Sequence, residues 1–186
     1  MEKKIEIRIG FLAFVCILGW LDIRICGWFL FAMTMHEMAH LLVIRLYGIP
    51  VDGVSVRLSG AVIRCGICSY RQEAVCAAAG PASNLLLCIL TIRAIPKLAV
   101  VSGVLGFGNL LPVYPLDGGR ILRGFLMSLL PENRVYLVLS RVSCVCCCLL
   151  MACACWVTAE LQMGIWPVFA ALAVLWRVGM VKWADI

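Results

Sequence analysis

Met35-His36-Glu37-Met38-Ala39-His40 is an H-E-x-x-H set inside an apolar stretch, and its reading decides the rest of the chain. Trp28-Phe29-Leu30-Phe31-Ala32-Met33 precede it and Leu41-Leu42-Val43-Ile44 follow it. On a helix, histidines four residues apart project from one face. Their imidazoles can then converge on a single zinc ion, with Glu37 beside it as general base. No other histidine is present in the chain. A glutamate left uncompensated in hydrocarbon is costly, so an ionisable triplet there marks function by default. The competing reading, a polar cluster buried in a helix bundle, gives way for that reason.

The composition says what surrounds the motif. Of 186 residues, 64% are hydrophobic and 14% charged, so little is left for a water-facing surface. The mean hydropathy of +1.05 and the recurring long apolar runs argue an all-α polytopic membrane protein. The net charge of +6 is not a nucleic-acid signal, because no basic face is interleaved with exposed aromatics. The arginines sit at segment ends and read as topology determinants. The twelve cysteines fall mainly in apolar runs, where free cysteine packs as a small hydrophobe.

About six spans are expected, at residues 9–21, 27–47, 73–92, from near 98 to the 108–120 stretch, 135–157 and 165–181. The first follows a basic start but no small-residue cleavage site, so it reads as a retained segment and not a leader. Gly48-Ile49-Pro50 stops the second. Residues 51–68 are rich in β-branched residues with partial alternation, which predicts a short β-hairpin between the second and third spans. Bare strand edges cannot face lipid, so that hairpin belongs at the surface or behind protein. Cys65-Gly66-Ile67-Cys68 lacks a second pair and so does not read as a zinc knuckle. The third span carries Gly80-Pro81-Ala82-Ser83-Asn84; Asn84 needs a hydrogen-bond partner there, joining helices or supporting the site. Asn109-Leu110-Leu111-Pro112-Val113-Tyr114-Pro115-Leu116-Asp117-Gly118-Gly119-Arg120 reads as a break in regular helix, with Asp117 inside it and an amphipathic or re-entrant stretch, 121–130, after it. Lys3, Lys4, Arg8, Arg45, Arg57, Arg64, Arg71, Arg120, Arg123, Arg134 and Lys182 fall on one side of this topology, and Arg24, Arg93 and Lys97 on the other. That asymmetry places both termini in the cytoplasm.

A catalytic zinc takes three protein ligands and a water. With both histidines used, a carboxylate or thiolate must supply the third. Glu2, Glu6, Asp22, Asp52, Glu73, Glu132, Glu160 and Asp185 lie at ends or in polar connections, and Glu37 serves better as base. Asp117 remains, with a cysteine thiolate as the alternative.

The H-E-M-A-H set, the G-P-x-x-N of residues 80–84 and the N-L-L-P-V-Y-P-L-D-G-G-R run, in this order, resemble the site-2 proteases, which are intramembrane zinc metalloproteases. The likeness spans residues 28–123 and looks closest to the compact bacterial branch that includes the sporulation protease processing a pro-sigma factor. It implies zinc ligands at His36, His40 and Asp117, a catalytic Glu37, and Asn109 on the substrate or oxyanion side. Pro115 would shape the loop, and Asn84 would join the substrate or oxyanion set. It implies a metalloendopeptidase acting in or near a transmembrane segment of a membrane-associated substrate such as a pro-sigma or anti-sigma factor. The expected partners are that substrate, the bilayer and a membrane-embedded regulator. A single domain over 1–186 is expected, without PDZ or CBS modules, with the active site opening to the cytoplasm. The rival from another class is a non-enzymatic zinc transporter or sensor, which would need the histidines but not Glu37.

Overall fold

A computed structural model describes residues 4–7, 9–57, 60–66, 69–160 and 166–179. They form two compact units, Met1–Asn109 and Leu110–Ile186.

The first unit begins with a short strand, β1 (Lys4–Ile7), then α1 (Ile9–Leu21) and α2 (Ile23–Leu46). Asp22 separates the two helices. Its carboxylate accepts the Arg24 and Ile25 backbone N–H groups at 2.8 and 3.1 Å, which caps α2. Gly48, at φ 68°, ends α2 in a left-handed conformation that a side chain would oppose. Two strands follow, β2 (Val51–Arg57) and β3 (Gly60–Cys65), paired antiparallel with Val54 opposite Ile63. Residues 58 and 59, where a turn would close them, lie outside the described residues, as do Lys3, Arg8, Cys68, Lys182 and Asp185. β1 joins the far side of β2 in parallel, with Ile5 opposite Val54, so the sheet order is β1-β2-β3.

α3 (Tyr70–Thr91) starts three residues before the expected Glu73. The reason is a capping box: the Ser69 hydroxyl accepts from the Gln72 N–H, and the Gln72 side chain accepts from the Ser69 N–H. The helix runs through Pro81, which has no N–H to offer the Ala77 carbonyl. α4 (Pro96–Leu110) follows. α2 buries Ala32, His36, His40 and Ile44, four residues apart, and α3 buries Cys76, Ala77, Gly80, Pro81 and Asn84. Ile44 and Cys76 close one end of this packing with Ile49.

In the second unit, residues 111–116 form an irregular segment with a cis Tyr114–Pro115 bond, followed by α5 (Asp117–Leu126), α6 (Glu132–Glu160) and α7 (Trp166–Gly179). Val113 and Leu116 pack on Cys147 of α6 and on Val174 and Val178 of α7. The Tyr114 N–H donates to the Ser143 hydroxyl at 3.0 Å, which ties the segment to α6.

α2, α3 and α6 are each long and apolar enough to cross a membrane. Large apolar side chains face outward elsewhere as well: Trp20, Ile89, Val104 and Leu149 are all more than half exposed. Such surface requires lipid as its solvent. The protein is an integral membrane protein with a mostly helical fold.

Candidate metal centre

The H-E-x-x-H residues lie on α2 with the expected geometry. His36 and His40 are both 6% exposed, and their rings meet edge to face with centroids 4.7 Å apart. Their Nε2 atoms are 3.1 Å apart. Two nitrogens on one tetrahedral zinc, each about 2.05 Å from the ion, stand roughly 3.3 Å apart, so the pair fits. Glu37, between them in sequence, is half-buried.

α3 runs antiparallel to α2 and meets both histidines. The His40 Nδ1–H donates to the Cys76 carbonyl at 2.7 Å. That bond holds the proton on Nδ1 and leaves the Nε2 lone pair for a metal. One turn further, a Cβ on Gly80 would collide with the Nε2 atoms of both His40 and His36. Helical propensity favours alanine over glycine by roughly 1 kcal/mol, so the glycine is there for space. After another turn the Asn84 amide nitrogen lies 3.1 Å from His36 Nδ1. Cys76 was not singled out from the sequence, and Gly80 was read only as part of the G-P-x-x-N run. Their signal is the four-residue spacing of Cys76, Gly80 and Asn84, which matches that of the histidines.

Asp117, 8% exposed, is the first residue of α5. The helix N-terminus suits a carboxylate, and the Arg120 guanidinium stands 4.0 Å away. Asp117 therefore opens a regular helix and does not sit inside the break. The reason is the glycine pair that follows it. A Cβ on Gly118 would collide with the Leu110 and Leu111 carbonyls, and one on Gly119 with the backbone of Val113 and Tyr114. The glycines let the first turn of α5 lie against main chain. Asn109, half-buried, donates through Nδ2 to the Leu105 carbonyl at 3.0 Å, which commits one of its two N–H groups. Pro115, also half-buried, follows the cis bond.

Fold and site together define a membrane-embedded protein built around an H-E-x-x-H metal cradle. Comparison with known proteins shows what the chain is similar to. Residues 91–150 match peptidase family M50. A zinc metalloprotease of Methanocaldococcus jannaschii is 28% identical over 147 residues, covering 68% of this chain and 43% of its own. Stage IV sporulation protein FB of Bacillus subtilis is 38% identical over 68 residues, covering 37% of this chain and 23% of its own. The solved site-2 protease from Methanocaldococcus jannaschii superposes with a TM-score of 0.70 at 20% identity, covering 94% of this chain and 88% of that one. At that identity the likeness shows the fold. Residues 91–150 thus resemble the M50 peptidases, and the chain has the fold of a site-2 protease. It spans less than half the length of the curated relatives it matches.

Proposed function

We propose that this chain is an intramembrane zinc metalloendopeptidase that cleaves a membrane-associated protein in or near a transmembrane segment. The observation that carries the reading is the His36–His40 cradle, two Nε2 atoms 3.1 Å apart on an apolar helix with Glu37 beside them. His36, His40 and Asp117 are the protein ligands in this reading. Two imidazoles and one carboxylate form a donor set suited to catalytic zinc. A zinc ion supplies Lewis-acid activation of water and of the scissile carbonyl. Glu37 takes the proton from the attacking water and delivers it to the leaving amine. Asn109 and Pro115 lie on the substrate side.

A peptide bond inside a helix is shielded by its own hydrogen bonds, so the substrate must unwind locally. An extended segment can add to the outer edge of β3, which ends the β1-β2-β3 order. The same sheet bears on topology. β1 and β2 lie in one sheet, so the α1 and α2 helices between them return the chain to the side it left. If α2 crosses, α1 crosses too, although it has only 13 residues. With α4 and α7 this supports six spans, termini in the cytoplasm, and a single catalytic domain with its site opening on that side. The resemblance favours a pro-sigma or anti-sigma factor as substrate and a membrane-embedded regulator as further partner. The relatives' names favour a protease over a zinc transporter or sensor.

The test is cleavage of membrane-inserted, single-span precursors, a pro-sigma factor among them, by the purified full chain in detergent. Cleavage should stop with a chelator and return with zinc. Glu37→Gln should keep its zinc and lose about 10²- to 10⁴-fold in turnover, the usual worth of a general base. Parental turnover in a zinc-loaded Glu37→Gln sample would remove Glu37 from the mechanism.

A further inference from the structure

For His36 to offer Nε2 to a metal, the ring in its neutral form must carry its proton on Nδ1. Nδ1 then needs an acceptor. His40 has one in the Cys76 carbonyl, at 2.7 Å. The group at the matching place beside His36 is the Asn84 side chain, two helical turns along α3 from Cys76.

Asn84 has no exposed surface at all, in a chain whose composition favours apolar side chains at such depth. Its amide nitrogen stands 3.1 Å from His36 Nδ1, while its Oδ1 is buried with no hydrogen-bond partner. A buried, unsatisfied amide oxygen costs about 1–3 kcal/mol. A half-turn about the last side-chain bond exchanges oxygen and nitrogen with little change in shape. Oδ1 then faces Nδ1 and accepts its proton in a hydrogen bond. The orphaned acceptor gains a donor, and His36 Nε2 presents its lone pair.

We propose that Asn84 is the positioning residue for His36: its amide oxygen accepts the Nδ1–H, fixes the ring's tautomer and aims Nε2 at the metal. α3 thereby acts on both histidines, through the Cys76 main chain on His40 and the Asn84 side chain on His36. Gly80, midway between them, leaves the space into which both Nε2 atoms point. The assignment rests on the reading of His36 and His40 as metal ligands. It does not depend on which residue supplies the third ligand.

Outer partners of this kind usually change metal affinity by about 10- to 100-fold. Asn84→Asp keeps an acceptor of the same shape, whereas Asn84→Leu keeps the bulk and loses it. A positioning role therefore predicts that Asn84→Asp holds Zn²⁺ close to the parent and that Asn84→Leu weakens it by roughly 10- to 100-fold. A space-filling role predicts the reverse order, because a fully buried carboxylate is the more disruptive of the two. Zn²⁺ affinity is read on the full chain in detergent by competition with a chromophoric chelator.

A second measurement needs no variant. With only two histidines in the chain, ¹⁵N-histidine NMR of the zinc-loaded parent resolves the tautomer of each ring. The expected spectrum has Nδ1 protonated and Nε2 metal-bound in both. A His36 ring bound through Nδ1, or Asn84→Leu holding zinc as tightly as the parent, overturns the assignment of Asn84. If Asn84→Leu fails to fold, the parent spectrum decides alone. Unchanged zinc binding in His36→Ala would instead overturn the metal site itself.

Discussion

The two units of the chain both rely on glycine for room, and they use the room differently. In the first, Gly80 sits inside a regular helix and makes space for side chains, the imidazole nitrogens of His36 and His40. In the second, Gly118 and Gly119 follow Asp117 in the first turn of α5 and make space for main chain, at residues 110–114. Side-chain atoms can withdraw when crowded, whereas carbonyls fixed in a loop cannot without moving the loop. One glycine therefore serves the chemistry, and the pair serves the fold that holds Asp117.

The hardest test of that contrast is Gly118→Ala. The added methyl meets carbonyls that cannot rotate away, so the cost should exceed the roughly 1–3 kcal/mol of an ordinary overpacked site. Thermal or denaturant unfolding should show the variant largely unfolded, or with the segment before α5 open to proteolysis. Near-parental stability would break the comparison on the side of the second unit.

Gly80→Ala should do the opposite. Alanine is the better helix former by about 1 kcal/mol, so helicity should persist. Zinc binding should fail, because the methyl enters the space faced by both Nε2 atoms. Circular dichroism and zinc content on the same sample read both halves of the expectation. A folded variant with normal zinc would show that Gly80 has no part in the site.

Ser143→Ala sharpens the comparison within the second unit. It removes the hydroxyl that accepts the Tyr114 N–H, a hydrogen bond worth about 0.5–1.5 kcal/mol net. The midpoint of chemical unfolding should fall accordingly, with the zinc stoichiometry of the folded protein unchanged.

The smallest effect concerns Asp22, away from both glycine sites. Its pKa lies below the ordinary 3.8, because the Ile25 and then the Arg24 backbone N–H groups bond its charged form. A depressed carboxylate pKa contributes stability above the unfolded value and loses it as pH falls through the folded one. Lowering the pH below about 3.8 should therefore weaken the parent more than Asp22→Asn, which keeps the cap without the titration. Thermal scans across that range read the difference, and equal slopes would remove Asp22 as a pH-sensitive cap.

How far the sequence could be read follows from how local each feature is. The His36–His40 pair is set by helical spacing alone, so two residues four apart were enough to place it. α1 has the bounds expected from its apolar run because Asp22 ends it abruptly. Asn84 was legible as a residue needing a partner, but its partner lies 48 positions earlier, and spacing along one helix cannot name it. The glycines after Asp117 read as helix breakers, which is their ordinary meaning in isolation. Their meaning here depends on which main chain lies against them. β1 went unread because its four residues acquire strand character from pairing with β2, nearly fifty positions on.

That pairing sets an order of events during synthesis. β1 leaves the ribosome before α1, α2 and β2, and its partner in the sheet is β2, which follows both helices. Two helices must therefore be made before β1 has that neighbour. β1 waits with its edge open for the whole of that interval, and the sheet can close only when the chain returns to it.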